Sequence, residues 1–232
     1  MNSFLSFPTI KAQLKSRSFK SPAVFRQPEE IMDLSEVLNS QNIEFMSHEA
    51  QIDRYVEGQR RFIKINFSKI QTSNRVLDIA CGDGIGLLTL KEMGFQNILG
   101  VDSNAEKISE ANKYADAFIG DMHDLSFLET NSLDIILCSH SLEHAFDPRQ
   151  VLNEFNRILA RDGILFLVLP YPDFKPINDR AHLAKYILGL HKFDHGRSLK
   201  KFLGLSGFKV KKVKFDSFRE DEVWVTATPN RD

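Results

Sequence analysis

From residue 75 onwards, short apolar blocks alternate with amphipathic stretches. The blocks show no regular alternation of apolar and polar positions, which is typical of strands buried on both faces of a sheet. They predict five strands, at residues 75–80, 97–102, 117–121, 132–138 and 164–169. Helical stretches cover 87–93 and 148–159, and Ser103 stands three residues before Glu106, which is the spacing of a capping box. Buried strands that alternate with helices predict an α/β fold with a doubly wound, Rossmann-like, mostly parallel sheet.

After Pro170 the chain changes character. Residues 171–196 form a longer insertion with an apolar helical stretch over 181–190, and we expect this insertion to cover a substrate. Two extended segments near the carboxyl terminus, 208–215 and 222–228, are joined by a short polar link. Segments so close in sequence pair antiparallel. The sheet is therefore predicted to end in an antiparallel hairpin.

The amino-terminal part, residues 1–70, is predicted to be an arm followed by helices that form a lid or cap of the same domain, whose main body is residues 71–232. A helix is predicted over 49–70, with these side chains on its inner face: Tyr55, Phe62, Ile63 and Phe67. The first 28 residues contain five serines and five basic residues but no acidic residue. That composition is found in organellar transit segments, and an arm that packs over the active site is the alternative.

The amino-acid composition excludes several classes of protein. Of 232 residues, 42% are apolar and 26% are charged, as in ordinary globular proteins. The longest apolar run, 164–169, is too short to span a bilayer, and two cysteines cannot provide a disulfide framework or a four-ligand zinc site. A formal net charge of -1 provides no general attraction for nucleic acid. We therefore expect a cytoplasmic protein with no membrane span and no nucleic-acid partner.

A glycine-rich loop, residues 78–86, separates the first predicted strand from the helix after it. In parallel α/β sheets such loops lie where ligands bind, beyond the carboxyl ends of the strands. No register of the loop fits the G-x-G-x-x-G of dinucleotide binders, and no Gly-Lys-Ser/Thr of a P-loop follows. Asp78 at the start of the loop also disfavours a phosphate. The loop fits NAD and ATP poorly, and it suits an uncharged or cationic nucleoside.

Residues 76–84, Val-Leu-Asp-Ile-Ala-Cys-Gly-Asp-Gly, resemble the first motif of the class I S-adenosylmethionine-dependent methyltransferases. Further segments fall where that family places them: Asp102 ends the second strand, Gly120-Asp121-Met122 ends the third, and Leu142-Glu143-His144 follows the fourth. The resemblance covers about residues 75 to 170. It implies the doubly wound fold, S-adenosyl-L-methionine as cofactor, and methyl transfer as the reaction. Ala80 departs from the family pattern, in which a glycine is common.

The resemblance also implies a set of cofactor-binding residues: Asp78, Ala80, Gly82, Gly84, Asp102, Ser103, Asp121, Met122 and Ser139. Asp78 would hold the methionine amine through a charge-assisted hydrogen bond. Asp102 would accept hydrogen bonds from both ribose hydroxyls, as an acid about 20 residues downstream does in dinucleotide folds. Asp121 would contact the adenine amine, and the backbone of Met122 the ring nitrogen.

The segment 139–144 leaves the fourth strand and should face the transferred methyl group. His144 is the first candidate for a general base or a group that positions the acceptor, because imidazole titrates near neutral pH. His140 is the second candidate. His191 and His195 have a spacing that could ligate a metal, but no third ligand is evident, and we expect no metal site.

The expected acceptor is a small molecule with an oxygen nucleophile. It could be acidic, because residues 197–214 carry seven basic residues and no acidic one; a solvated helix face with an edge strand is the other interpretation of this run. Two alternative functions stay open: a catalytically silent cofactor-binding partner protein, and a methyltransferase for protein or nucleic acid. The sequence carries no signal for an oligomeric state.

Overall fold

The computed structural model describes residues 49–175, 180–218 and 220–231. The predicted amino-terminal arm, its alternative as a transit segment, and the side chain of Tyr55 lie outside the described residues. Among these residues the strands are β1 (Arg75–Ile79), β2 (Asn97–Asp102), β3 (Asp116–Ile119), β4 (Leu133–Ser139), β5 (Leu159–Pro170), β6 (Phe208–Asp216) and β7 (Glu222–Pro229). The α-helices are α1 (Glu49–Phe67), α2 (Ile85–Glu92), α3 (Ala105–Ala111), α4 (Pro148–Ile158), α5 (Ala184–Leu188) and α6 (Arg197–Leu205).

The strands form one seven-stranded sheet in the order β3-β2-β1-β4-β5-β7-β6. Neighbouring strands from β3 through β5 are parallel. β7 runs antiparallel to β5 and β6 antiparallel to β7, with Pro170 opposite Glu222. The predicted fold, a mostly parallel doubly wound sheet that ends in an antiparallel hairpin, is confirmed. Because β1 lies between β2 and β4, the order reverses at β1, where ligands bind in such sheets.

Apolar side chains cover both faces of the sheet. On one face α1 is fixed by aromatic contacts: the ring of Phe62 lies edge-on to Trp224 at 5.0 Å, and Phe67 lies 4.8 Å from Phe166. Each of these four side chains is at most 4% exposed, and burying a side chain of this size contributes roughly 1.5–3 kcal/mol. On the other face α4 buries Val151, Leu152 and Phe155. No helix among the described residues has the length and apolar character needed to cross a bilayer.

The structure differs from the prediction in three local features. Asn104, not Ser103, caps α3: its Oδ1 accepts hydrogen bonds from the backbone N–H groups of Glu106 (2.9 Å) and Lys107 (3.1 Å). The reason is that Asp102 accepts the backbone N–H of Asn104 at 2.8 Å, so the helix starts one residue later. β5 begins at Leu159, before the predicted 164, with a register irregularity near its start.

The third difference concerns the helix predicted over 181–190. It consists of a 3₁₀ turn at Arg180–His182 and the short helix α5. Gly189 ends α5 in the left-handed region, with a φ of 75°. A side chain there would collide with Ser198, whose Cβ would lie 2.3 Å away, so close packing against α6 fixes the end of this helix.

Candidate active site

A cleft of about 540 Å³ opens at the carboxyl ends of the parallel strands. Its lining comes from the glycine-rich loop, the ends of β2 and β3, the segment after β4, and the insertion. The lining residues are Ala80, Gly82, Asp102, Ser103, Asn104, Lys107, Met122, His140, Ser141, Glu143, His144, Pro170, Lys175, His182 and Glu220. The volume is in the range of small-molecule sites.

The glycine-rich loop turns sharply beside the cleft. Ala80, Gly82 and Gly84 all have positive φ, of 54°, 54° and 87°. A Cβ on Gly82 would meet no atom within 4 Å, so the backbone is open to a ligand there. A Cβ on Gly84 would lie 2.8 Å from the Cα of Ala111, so this glycine serves close packing with α3 and does not line the cleft.

The carboxyl group of Asp78 is buried beneath the loop, with 1% of the residue exposed. Its Oδ2 atom has no hydrogen-bond partner in the described structure. Burial, with a smaller contribution from the charge of Asp102, raises the pKa of Asp78 to about 8. A Cβ on Gly86 would stand 2.1 Å from that oxygen, so the loop admits the carboxyl only because residue 86 has no side chain. A buried polar atom without a partner is costly, and an ammonium group of a ligand would supply the partner.

Asp102 ends β2 with its carboxylate beside the cleft. Oδ2 accepts the backbone N–H of Gly82 at 2.8 Å, and Oδ1 accepts that of Asn104. These bonds fix the carboxylate, and each of its oxygens has a second lone pair with which to accept a ligand hydroxyl.

The carboxylate of Asp121 is engaged by its neighbour His123. Its Oδ1 accepts the ring Nδ1–H of His123 at 2.6 Å and the backbone N–H of His123 at 2.9 Å. Burial raises the pKa of Asp121, but the bonds from His123 outweigh this effect and hold the pKa below its usual value. The ring of His123 in turn stacks on Phe146 at 3.6 Å.

Of the predicted cofactor-binding residues, the structure thus brings five into the cleft lining: Ala80, Gly82, Asp102, Ser103 and Met122. Four others lie next to it without lining it: Asp78, Gly84, Asp121 and Ser139. Asn104 and Lys107 line the cleft and were not predicted. Their position in the first turn after the acid that ends β2 is the signal that could have indicated them.

His140 follows β4, and its ring lies between the carboxyl groups of Glu143 and Glu222. Its Nε2–H donates to Oε1 of Glu222 at 2.8 Å, and its Nδ1 lies 3.7 Å from Oε1 of Glu143. Glu222 is fixed on its other oxygen by the indole N–H of Trp224, at 2.7 Å. Burial lowers the pKa of His140, but the hydrogen bond and charge of Glu222, with the charge of Glu143, raise it above its usual value.

His144 has a different electrostatic setting. Its Nδ1 lies 2.5 Å from the carbonyl oxygen of Ala181. A carbonyl only accepts hydrogen bonds, so Nδ1 carries the proton and Nε2 carries the lone pair in the neutral ring. Burial is the main cause that lowers the pKa of His144, and the ring is therefore neutral at pH 7. Both predicted catalytic histidines line the cleft.

The insertion contributes a group of hydrogen-bonded polar residues around His182, which the sequence places in the segment expected to cover the substrate. Nδ1–H of His182 donates to Oδ2 of Asp173 at 2.8 Å, and the ammonium of Lys175 donates to Nε2 of His182 at 3.0 Å. Lys185, 1% exposed, donates to the carbonyl of Lys175 at 2.7 Å and lies 3.8 Å from Asp173. The ring of His182 lies edge-on to that of His144, 4.6 Å away.

Glu143 is fully buried between these groups. Neither of its carboxyl oxygens has a hydrogen-bond partner in the described structure. Glu143, His144 and His182 form a set of possible metal ligands, and their ligand atoms lie within 4.8 Å of one another. His191 and His195, the pair with metal-ligand spacing in the sequence, do not belong to it; the Nδ1 of His191 instead lies 3.4 Å from the carbonyl of Lys185.

The basic run 197–214 lies on α6 and on β6, the edge strand of the sheet. Its lysines at 200, 201, 209, 211 and 212 are exposed, and none of its residues is in the cleft lining. This placement agrees with the solvated face and the protected edge. The acidity of the acceptor stays a prediction.

Comparison with protein-family models gives a match to a methyltransferase domain over residues 46–213. Among curated proteins, a ubiquinone biosynthesis O-methyltransferase of Actinobacillus pleuropneumoniae is 28% identical over 143 residues, which cover 52% of this chain and 58% of that protein. The same-named protein of Xanthomonas oryzae is 30% identical over 100 residues, covering 40% and 41%. The chain thus spans from about two fifths to under three fifths of the length of these relatives.

Solved structures give the same fold at low identity. An S-adenosylmethionine-dependent methyltransferase from Mesorhizobium loti matches with a TM-score of 0.58 at 16% identity, covering 75% of this chain and 99% of that one. Magnesium protoporphyrin IX methyltransferase from Synechocystis, with S-adenosylhomocysteine bound, matches with a TM-score of 0.58 at 17% identity, covering 84% and 94%. These likenesses show the architecture of the sheet and its helices.

Proposed function

We propose a reaction from one premise: the chain belongs to the methyltransferase-domain family, and its resemblance to class I methyltransferases is confirmed. The proposed activity is transfer of a methyl group from S-adenosyl-L-methionine to an oxygen atom of a small molecule. The observation that carries it is a buried, unpartnered carboxyl oxygen on Asp78 beneath the glycine-rich loop, combined with an imidazole on His144 that lines the cleft and carries its lone pair on Nε2.

The residues present fit the cofactor. The orphaned Oδ2 of Asp78 matches the methionine ammonium, and the fixed carboxylate of Asp102 matches the two ribose hydroxyls. The open backbone at Gly82 allows a ligand to approach closely. Ser103 and Met122 line the part of the cleft next to Asp102, where the adenine would lie. The cofactor, when bound, supplies a methyl group activated by its sulfonium.

An oxygen acceptor is supported by the chemistry after β4 and by the names of the relatives, which are O-methyltransferases. As the bond between oxygen and the methyl carbon forms, the pair of the breaking sulfur–carbon bond returns to sulfur and the hydroxyl proton needs an acceptor. Nε2 of His144 has the lone pair for it. A positioned base contributes about 10²–10⁴-fold, and alignment of acceptor and methyl group contributes roughly 7–11 kcal/mol.

Cofactor binding is tested by calorimetric titration of S-adenosylhomocysteine. We expect wild type to bind and Asp102→Ala to lose at least about tenfold in affinity, because a charged hydrogen-bond acceptor is worth roughly 1.5–3 kcal/mol. Asp102→Asn keeps one acceptor oxygen and should lose less. Asp162→Ala, an exposed acid on β5, is the matched control. Failure of folded wild type to bind would overturn the proposed function.

The role of His144 is tested with His144→Asn and the control His191→Asn. Release of S-adenosylhomocysteine is measured with panels of phenol, carboxylate and amine acceptors. For an oxygen acceptor we expect kcat to fall by about 10²–10³ in His144→Asn, with unchanged affinity for S-adenosylhomocysteine. Unchanged kcat would contradict the base role. Cofactor binding without turnover on any acceptor would favour the silent, partner-type protein.

A further inference from the structure

Three potential metal-ligating side chains converge on the acceptor side of the cleft. Glu143 and His144 belong to the 3₁₀ turn after β4, and His182 belongs to the 3₁₀ turn of the insertion. Their ligand atoms lie within 4.8 Å of one another, and Nε2 of His144 lies 4.0 Å from Oε1 of Glu143. We propose that these three residues bind a divalent transition-metal ion. The proposal rests on the proposed function only in placing the ion beside the methyl acceptor.

Both imidazoles are fixed in the tautomer that a metal requires. Nδ1 of His144 donates to the carbonyl of Ala181, and Nδ1 of His182 donates to the carboxylate of Asp173. Each ring therefore carries its lone pair on Nε2, the atom that would bind a metal. Metal-ligating histidines usually donate their other ring N–H to a carbonyl or a carboxylate, which orients the ring and raises its basicity. Such outer partners are present for both rings.

The third ligand is a carboxyl group that the protein leaves unsatisfied. Glu143 is 0% exposed, and neither of its oxygens has a hydrogen-bond partner in the described structure. Burying a carboxylate without a partner is costly, and buried charges are generally paired or bound to metals. A cation at the centre of the three ligands would provide that partner.

A cationic side chain of the protein, Lys175, already lies at the edge of this centre. The ammonium of Lys175 is 3.0 Å from Nε2 of His182, so the lone pair that a metal would use is engaged by the lysine. The proposed ion and Lys175 therefore compete for His182. Removing the ammonium should make metal binding tighter, which distinguishes a metal site from a hydrogen-bonded cluster that the lysine completes.

The donor set selects the class of metal. Two imidazoles and one carboxylate suit Zn²⁺, Co²⁺, Ni²⁺ or Fe²⁺, whereas Mg²⁺ and Ca²⁺ prefer oxygen ligands. Three protein ligands leave at least one coordination position for an outside oxygen. That position would face the cleft, where a metal-bound hydroxyl of the acceptor loses its proton more readily. In the metal-loaded protein Nε2 of His144 would hold the ion, so the hydroxyl proton would pass to solvent water in the cleft. The base role proposed for His144 applies to the protein without metal.

The experiment uses full-length protein treated with a chelator and dialysed, titrated with Co²⁺ and followed by visible absorption. We expect one equivalent to bind with a d–d band, and Zn²⁺ to displace it. His182→Gln and Glu143→Gln should weaken binding at least tenfold (about 10–100-fold is typical of ligand-shell changes), while the control His191→Gln should not. Lys175→Met should strengthen binding. Thermal unfolding without metal verifies that each variant is folded.

The outcomes separate this proposal from the proposed function. Affinity for S-adenosylhomocysteine is measured in the presence of chelator, where it depends on Asp78 and Asp102 and on no metal. If that affinity is intact and no Co²⁺ complex forms, or if His182→Gln binds Co²⁺ as wild type does, the metal site is wrong and the proposed function stands. If S-adenosylhomocysteine does not bind but Co²⁺ does, the proposed function is wrong and the metal site stands.

Discussion

The carboxyl group of Asp78 is the clearest example of one side chain whose energy depends on a ligand. Its folded pKa is raised to about 8 by burial and by Asp102, against about 3.9 for an unfolded aspartate. The folded state therefore holds a proton that the unfolded state releases, and stability is lost as pH rises from about 4 through 8. The fold tolerates this carboxyl, which suggests that it is kept for binding.

We predict that Asp78→Asn removes this pH dependence. The unfolding midpoint of ligand-free wild type should fall more steeply between pH 6 and 8.5 than that of the variant (each pKa unit corresponds to about 1.4 kcal/mol). The variant should also bind S-adenosylhomocysteine more weakly, because an amide can accept a hydrogen bond from the ammonium but has no negative charge to pair with it. Thermal unfolding across pH and calorimetry measure both effects. Parallel pH curves for wild type, Asp78→Asn and the exposed control Asp162→Asn would contradict the raised pKa.

A second residue-scale prediction concerns Ala80, a residue with a side chain at a φ of 54°. A side chain in the left-handed region costs on the order of 1–3 kcal/mol, part of which the flexibility of an unfolded glycine offsets. Ala80→Gly should therefore raise stability by about 1 kcal/mol in chemical denaturation. Ala145→Gly, at a buried position with φ of -63°, should lower stability. Loss of stability in both variants would show that Ala80 is unstrained.

At the scale of elements, the carboxyl-terminal hairpin completes the site. β7 pairs antiparallel with β5 and starts opposite Pro170, which brings Glu222 to the same edge of the sheet as the end of β4. From there Glu222 reaches His140, 82 residues earlier in the chain. A hairpin that the sequence predicts only as an extension of the sheet thus supplies a side chain that contacts His140 of the cleft lining.

We predict that Glu222→Gln lowers the pKa of His140, because the amide keeps a hydrogen-bond acceptor but loses the charge. In wild type the raised folded pKa adds stability that is fully present below about pH 6.5 and lost as pH rises through the folded value. The variant should therefore be destabilised more at pH 5.5 than at pH 8. Histidine titration by NMR and unfolding at the two pH values measure this. The exposed Asp162→Asn is the control, and an unchanged His140 titration in Glu222→Gln would contradict the pairing.

A comparison of the strands and helices with their predictions shows which features the sequence could predict. The apolar runs of β1 and β2 are buried on both faces, so the sequence pattern indicates both strands. Asp102 ends β2 and Asp78 stands one residue before the end of β1, so both acids could be located from the same runs. The Ser103 cap was wrong because Asp102, a site residue, takes the next backbone N–H. The contact of Glu222 with His140 could not be found from local pattern, since it joins distant segments. His182 could be placed in the covering insertion, but its contact with His144 could not be predicted.

At the scale of the whole molecule, cofactor binding should stabilise the folded state. The residues that line the cleft are far apart in sequence and come together only when the sheet is folded. A ligand that binds only the folded state at about 100 times its Kd adds about 2.7 kcal/mol. In a chain of 232 residues each kcal/mol corresponds to roughly 2–4 °C. S-adenosylhomocysteine at that excess should therefore raise the unfolding midpoint by about 5–11 °C.

Ligand selectivity is the sharper test at this scale. The glycine-rich loop lacks both phosphate-binding patterns and carries Asp78 beneath it, so a phosphate has neither the backbone arrangement nor the charge that it needs. ATP and NAD should therefore leave the midpoint unchanged at concentrations where S-adenosylhomocysteine raises it, and Asp102→Ala should abolish the rise. Differential scanning calorimetry with the three ligands measures this. Equal stabilisation by ATP would mean that the loop cradles a phosphate, and the cofactor assignment would then be wrong even though the fold is correct.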